Sequence, residues 1–358
     1  MNLNQKKIAI VHDYLYVYGG AERVLEALHE IFPNAPIYTT YYVKDKLPKS
    51  FSTWNIKETY LGKIFIKNTW FRRFYSLFTY SAIRKFNFSE YDLIISITAG
   101  PAKNIRVTGK TKHISYILTP PWFEWGIAKP RFRKKIYLWL SRMWDYKASQ
   151  QPDKLIAISH TVQKRIKSFY KRDSTIIFPP VEIEHLRRLI QEKVIKKNYL
   201  LMCGRLEFYK GVSTVAKILE KQNIEMKIAG SGDDAKNLIG LSKRIEYLGF
   251  VDDQTKAKLM SEAKALIFWN EDDFGLTMVE ALSCGTPVIA FGKGGALDII
   301  SDGKNGILLK YQTEKELLRA IKQIDSLSLD AKEIALSAER FSKDNFKKAI
   351  IKFVNSNL

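Results

Sequence analysis

Residues 265–290 read ALIFWNEDDFGLTMVEALSCGTPVIA. The run ALIFW (265–269) is short, apolar and bounded by polar residues, the pattern of a buried strand. Three acids follow, then Phe274-Gly275, where glycine supplies a turn. Residues 276–283 fit a helix, the Gly-Thr-Pro at 285–287 stops it, and PVIA (287–290) reads as a second strand. Strand, helix and strand in this order predict parallel strands joined by a crossover helix. A run of acids alone is most simply a solvated turn. Here it sits at a strand's carboxyl end, where sheets of this kind bind ligands.

The same alternation extends both ways. In the first half the expected strands are 7–13, 36–40, 92–98, 112–118, 154–159 and 174–180. Pro179-Pro180 breaks the pattern, because a proline pair continues neither strand nor helix easily. The second half restarts with strands at 199–204, 226–230, 245–250, 265–269, 287–290 and 306–309, and helices at 211–221, 253–263 and 276–283. The fold class expected is α/β, with two doubly wound, Rossmann-like domains at 1–180 and 181–343. Segment 344–358 is a further amphipathic helix expected to cross back to the first domain.

Composition narrows the class. With 46% hydrophobic and 27% charged residues the chain is a folded protein, so wholesale disorder is excluded. Its 58 Lys and Arg against 37 Asp and Glu give a formal net charge of +21, which calls for an anionic partner. Cys203 and Cys284 read as buried free thiols, with no zinc or disulfide spacing. The N-terminus lacks a signal-peptide core, and no uncharged apolar run has the ~18–20 residues of a spanning helix. A cytoplasmic protein, or one peripheral to a membrane, is expected.

Three stretches carry chemistry. At the first strand's end, Gly19-Gly20 opens a helix whose N–H groups suit an anion, although a plain turn explains the glycines equally well. In CGRLEFYKG (203–211), Arg205 and Lys210 sit between strand and helix. A guanidinium fork and an ammonium on one loop suit a diphosphate; two surface cations are the alternative. After Gly275, the helix starting at Leu276 and Thr277 would present its N-terminus to a ligand. Glu280, one turn in, is placed to accept hydrogen bonds from a ribose diol. His12 and Asp13 lie at the first strand's carboxyl end, either in a cleft or simply structural.

The stretches EDDFGLTMVEALSCGTPVIAFGKGG, GRLEFYKG, AGSGDD, YLGFVDD and VHDYLYVYGGAERVLEAL together resemble the retaining nucleotide-sugar glycosyltransferases of the GT-B fold, glycosyltransferase family four. The likeness is greatest to bacterial O-antigen and capsule mannosyltransferases. It implies two Rossmann-like domains facing across a cleft, the first on the acceptor side and the second binding the nucleotide sugar. The family's pair of glutamates, separated by seven residues, falls on Asp272 and Glu280: Glu280 would read the ribose, and Asp272, one methylene shorter than usual, would lie by the donor sugar. Backbone groups at Phe274, Gly275, Leu276 and Thr277 would hold sugar and phosphate, Arg205 and Lys210 would neutralise the diphosphate, and Gly20 matches a glycine loop near the phosphates. Catalysis would fall to Arg205, Lys210 and Asp272, with no metal and no cofactor beyond the donor, for which GDP-mannose is the choice the resemblance favours. Two positions depart from the family: Leu118 stands where relatives carry a sugar-contacting His, and Trp122 where Arg is frequent. Glu124 is a candidate substitute.

The positive charge concentrates with aromatics. Residues 61–89 hold Lys and Arg without an acid, and a helix would gather Phe71, Phe74, Tyr75, Phe78, Ala82 and Phe86 on one face with Arg73 and Arg84 opposite. Residues 131–147 would gather Ile136, Tyr137, Leu140, Met143 and Trp144 against Lys135 and Arg142. Both faces also read as ordinary core. With a lipid-linked or glycan acceptor, the basic first domain suits an anionic membrane surface. Three rivals to transfer stand: a catalytically silent GT-B homologue, suggested by Leu118; a sugar-nucleotide epimerase; and a nucleic-acid-binding protein, disfavoured because no nucleic-acid module is recognisable.

Overall fold

The computed structural model describes residues 5–62, 75–127, 135–190, 194–327 and 329–358. The chain divides into two compact units, Met1–Pro180 with Phe346–Leu358, and Val181–Asn345. Among the described residues, each unit is built on one wholly parallel sheet.

In the first unit the strands are β1 (Ile8–His12), β2 (Ile37–Thr39), β3 (Ile56–Glu58), β4 (Leu93–Thr98), β5 (Lys112–Ile117), β6 (Lys154–Ala157) and β7 (Thr175–Ile176), in the order β3-β2-β1-β4-β5-β6-β7. β1 and β4 are buried along their whole length, as strands covered on both faces must be. β3 was not expected. It is a half-exposed edge strand whose Ile-Lys-Glu sequence has neither an apolar run nor a clear alternation.

The order reverses between β1 and β4, and Asp13 clamps that point. Its carboxylate accepts from Thr98 Oγ1, Ala99 N and Ala102 N, each at 2.7 Å. His12 beside it is also buried, with Nδ1 3.1 Å from Tyr14 O and Nε2 3.9 Å from Glu22 Oε1. Both residues therefore belong to the sheet's end rather than to solvent. Helix α1 (Gly20–Ile31) follows, with Gly19 N donating to Glu22 Oε2 at 2.9 Å, so the first turn closes on its own acid.

Helices α2 (Tyr75–Ile83) and α3 (Lys135–Ser149) correct the expected faces. Phe71, Phe74, Arg73 and residues 131–134 lie outside the described residues, as do the side chains of Tyr75, Lys135, Ile136 and Tyr137. Of the rest, Ala82 is buried but Phe78 is 50% exposed, and Phe86 lies beyond the end of α2, its ring 4.8 Å from Tyr38. On α3 the buried positions are Ser141, Asp145, Ala148 and Ser149, while Trp139 and Trp144 are exposed. The polar face turns inward because Asp145 meets the buried Lys103 at 2.5 Å, a pair that satisfies both charges away from water.

The second unit contains β8 (Leu200–Cys203), β9 (Met226–Ala229), β10 (Ile245–Gly249), β11 (Ala265–Phe268), β12 (Val288–Phe291) and β13 (Gly306–Leu309), in the order β10-β9-β8-β11-β12-β13. Three crossover helices matter below, α4 (Val212–Lys221), α5 (Asp253–Glu262) and α6 (Leu276–Ser283), and α7 (Glu314–Ser326) follows the last strand. Leu200, Met202, Val215, Leu219, Ile267 and Leu317 lie in one core between this sheet and its helices. Asp252 starts α5 by accepting from Thr255 N at 2.7 Å. Asp234 accepts from Ser213 N of α4 at 3.0 Å, tying the loop after β9 to that helix. The last helix, α8 (Lys343–Asn357), buries Phe346, Ile350 and Val354. Phe346 lies 5.9 Å from the Tyr116 ring, and Lys347 pairs with Glu30 at 2.5 Å, both within the first unit.

Candidate active site

The second sheet reverses its order between β8 and β11, and the sequence-selected residues gather at the carboxyl ends of these two strands. Chains leaving such a reversal diverge to opposite faces and leave a crevice. β8 runs into Arg205, which is exposed, and Lys210, which is half-buried. β11 runs into the acidic loop: Glu271 is exposed, Asp272 half-buried and Asp273 buried. Asp273 was expected to be solvated. It turns inward, and its N–H donates to Asp272 Oδ1 at 2.9 Å, fixing the preceding carboxylate.

Gly275 closes the loop with φ +100°, a conformation that only glycine adopts without strain, and α6 begins at the next residue. Phe274 is buried, its ring 5.5 Å from Phe341, so this side chain anchors the loop and only its backbone is available to a ligand. Leu276 and Thr277 are half-buried at the start of α6, whose leading N–H groups lack helical partners. An anion there meets both hydrogen-bond donors and the positive end of the helix dipole.

The loop has a brace that the sequence reading missed. Gly295 N donates to Asp272 O at 2.8 Å, and a side chain at Gly294 would place its Cβ 2.1 Å from that same oxygen. The GKGG stretch at 292–295 thus packs backbone to backbone on the acidic loop. Two adjacent glycines there were the available signal.

Electrostatics tie the groups together. Burial pushes the Lys210 ammonium below its ordinary value; Asp272 opposes this and Arg205 adds to it, so all three share one field. Glu280 is 5% exposed on α6, and Lys256 of α5 approaches it at 3.4 Å while also meeting Asp253 at 3.0 Å. Lys256 was not singled out from sequence, because its link to Glu280 spans two helices. The Cys203 thiol is pushed up to about 12, first by burial and then by Glu280, with Lys256 and Lys210 opposing. It is a poor nucleophile, as is Cys284, pushed up to about 11 by its burial. Among the described residues, no cluster of three or more His, Cys, Asp or Glu is arranged to hold a metal ion.

The structure therefore brings Arg205, Lys210, Asp272, Phe274, Gly275, Leu276, Thr277 and Glu280 to one edge of the second unit. Gly20 belongs to the first unit, exposed at the start of α1. Leu118 lies half-buried just past β5, its N–H bonded to Thr98 O at 2.8 Å. Trp122 Nε1 donates to Thr119 Oγ1 at 3.2 Å. Glu124 is buried, and Ser141 on α3 donates to its Oε1 at 3.4 Å, so its carboxylate is engaged inside the first unit rather than offered in place of a histidine.

Residues 187–354 match the family model of glycosyl transferases group 1. That stretch takes in most of the second unit and amounts to less than half of the chain. An uncharacterized glycosyltransferase of Methanocaldococcus jannaschii is 31% identical over 218 residues, 55% of this chain and 55% of that one. A GDP-mannose-dependent alpha-mannosyltransferase of Corynebacterium glutamicum is 30% identical over 125 residues, 35% of this chain and 30% of that one. The chain thus spans about half, or less, of the length of these curated relatives. Among solved structures, HepE of Anabaena in complex with UDP aligns at a TM-score of 0.71 and 17% identity, covering 98% of this chain and 100% of that one. Two parallel-sheet, Rossmann-like domains with GT-B glycosyltransferases as structural neighbours bear out the expected fold class.

Proposed function

We propose that this protein transfers a hexose from a nucleoside-diphosphate sugar to a hydroxyl acceptor, with retention at the anomeric carbon. The observation carrying this reading is that Arg205, Lys210, Asp272, Glu280 and the N-terminus of α6 meet at one sheet reversal. In the reaction the bond from the anomeric carbon to the diphosphate oxygen breaks, and its electron pair leaves with the nucleoside diphosphate. The acceptor oxygen bonds to the same face of the sugar, and its proton passes to the departing phosphate oxygen. Arg205, Lys210 and the α6 N–H groups stabilise the charge that develops on the diphosphate, without a metal in this role. Glu280 accepts hydrogen bonds from the ribose, and Asp272 faces the sugar.

Mannose, carried by GDP, is the donor we assign. The resemblance to capsule and O-antigen mannosyltransferases supports it, as does the kinship with a GDP-mannose-dependent enzyme of Corynebacterium. The acceptor is a lipid-linked glycan, and the first unit works against the anionic cytoplasmic face of a membrane. Support comes from the net charge of +21 and from Phe78, Trp139 and Trp144, which are 50%, 61% and 38% exposed. Among the described residues, no helix is long and apolar enough to cross a membrane, so the contact proposed is peripheral.

Purified protein mixed with UDP-, GDP-, ADP- and dTDP-sugars tests the reading through thermal shifts and release of nucleoside diphosphate. A shift and release with one base are expected. Binding without release across donors and acceptors favours the silent homologue, for which the apolar Leu118 speaks. No response to any nucleotide sugar overturns the proposal.

A further inference from the structure

The first unit holds a cavity of about 270 Å3, none of whose lining residues belongs to the candidate active site: Tyr80, Ser81, Arg84, Asn104, Trp144 and Lys147. Arg84 follows the end of α2, and Lys147 lies near the end of α3. Among the described residues, neither cation has a carboxylate within ion-pair distance. The floor is fixed and neutral. Asn104 Nδ2 donates to Tyr80 O at 2.7 Å, and Tyr80 Oη donates to Asp145 Oδ1 at 2.7 Å. Lys103 meets the same carboxylate at 2.5 Å, Trp125 Nε1 donates to its Oδ2 at 2.7 Å, and Tyr170 Oη at 2.8 Å. Asp145 is thus compensated by a buried ammonium and spends its oxygens on internal donors. No anionic charge on the floor offsets the two rim cations.

We propose that this cavity binds the phosphate of an anionic membrane lipid, with Arg84 and Lys147 on the phosphate oxygens and Trp144 against the ester carbons. A guanidinium just past α2 and an ammonium on α3, both lining one cavity, suit a phosphate better than a carboxylate, because its oxygens can be met from both sides. The volume equals that of about nine liquid waters, enough for a phosphate and a glycerol-sized ester group. Lipid is favoured over a free phosphate by Trp139 and Phe78, exposed on the same two helices, since such rings settle in the headgroup layer. The inference rests on the membrane part of the reading above and is independent of the transfer chemistry.

The test is co-sedimentation with vesicles of phosphatidylcholine alone and with added phosphatidylglycerol. It uses the wild type, Arg84→Gln/Lys147→Gln, and the charge-matched Lys44→Gln/Lys46→Gln at exposed positions. Thermal midpoints confirm that all three fold. The wild type is expected to pellet with the anionic vesicles. The cavity variant should lose roughly tenfold or more in partitioning, and the control within about threefold. If both variants lose equally, the cavity has no special role and the membrane reading survives. If the wild type does not pellet, the membrane reading itself falls and takes this inference with it. Soluble glycerol phosphate that stabilises the wild type but not the cavity variant, without vesicle binding, overturns the assignment to lipid.

Discussion

Lys256 Nζ lies 3.4 Å from Glu280 Oε1, and the two side chains are only 14% and 6% exposed. A carboxylate this deep is tolerated because a cation from α5 meets it, and the pair fixes the side chain proposed to read the ribose. Lys256→Ala strips that cation and should destabilise the second unit by about 2–4 kcal/mol, read from urea unfolding. Glu280→Ala should abolish the thermal shift produced by nucleotide sugars. An undiminished shift in that variant would remove Glu280 from the ribose.

The contact of Gly294 with Asp272 O gives a second expectation. An added Cβ would meet a backbone oxygen at 2.1 Å, and the residue's φ of +64° strains any side chain as well. Gly294→Ala should therefore cost about 2 kcal/mol or more and weaken donor binding, because the acidic loop must move. Gly303, with φ +75° and no atom within 4 Å of its Cβ position, is the comparison. Gly303→Ala bears the backbone strain alone, about 1 kcal/mol, and should leave donor binding unchanged. Equal costs at the two sites would show that the brace does not matter.

Stability should depend on pH through His113, fully buried in β5 with Nε2 2.9 Å from Ser96 Oγ. Burial lowers its pKa from 6.5 to about 3, with Arg172 adding to the effect. Above pH 6.5 the ring is neutral in both folded and unfolded chains and contributes no slope. Between pH 6.5 and about 3 the unfolded chain takes up a proton that the folded chain refuses, so stability falls as the pH drops. His113→Asn should be less stable at neutral pH but show a shallower loss across this window in denaturant titrations. An unchanged slope would assign the acid sensitivity to other groups.

The second unit was the more legible part of the sequence. Its strands are apolar runs closed by glycine or acid, and helices such as 253–262 announce their caps with Asp252, so local chemistry and tertiary position agree. The first unit was harder because its decisive contacts join distant residues. Asp145 falls among aromatics that read as the buried stripe, yet Lys103, far along the chain, draws the polar face inward. Asp273 likewise read as one acid of a solvated run, and only the packing of the loop buries it. Lys256 and the Gly294 brace depend on neighbouring crossovers coming together, which spacing along one element cannot show.

Arg205 and Lys210 separate a transferase from a silent relative. Both would attract a nucleoside diphosphate, so binding alone does not distinguish the two cases. In a transferase their larger effect falls on the transition state, where the diphosphate gains charge as the sugar departs. Arg205→Ala and Lys210→Ala should each lower kcat by about 10²–10³ while donor Kd rises much less. Arg205→Lys keeps the charge but loses the planar fork, so it should recover only part of the rate. Lys210 starts from a cost of burial that Asp272 opposes, so Asp272→Asn should lower the Lys210 pKa further and move the alkaline limb of the rate profile to lower pH. Losses confined to Kd, with no turnover in the wild type, would instead describe a protein that binds nucleotide sugars without cleaving them.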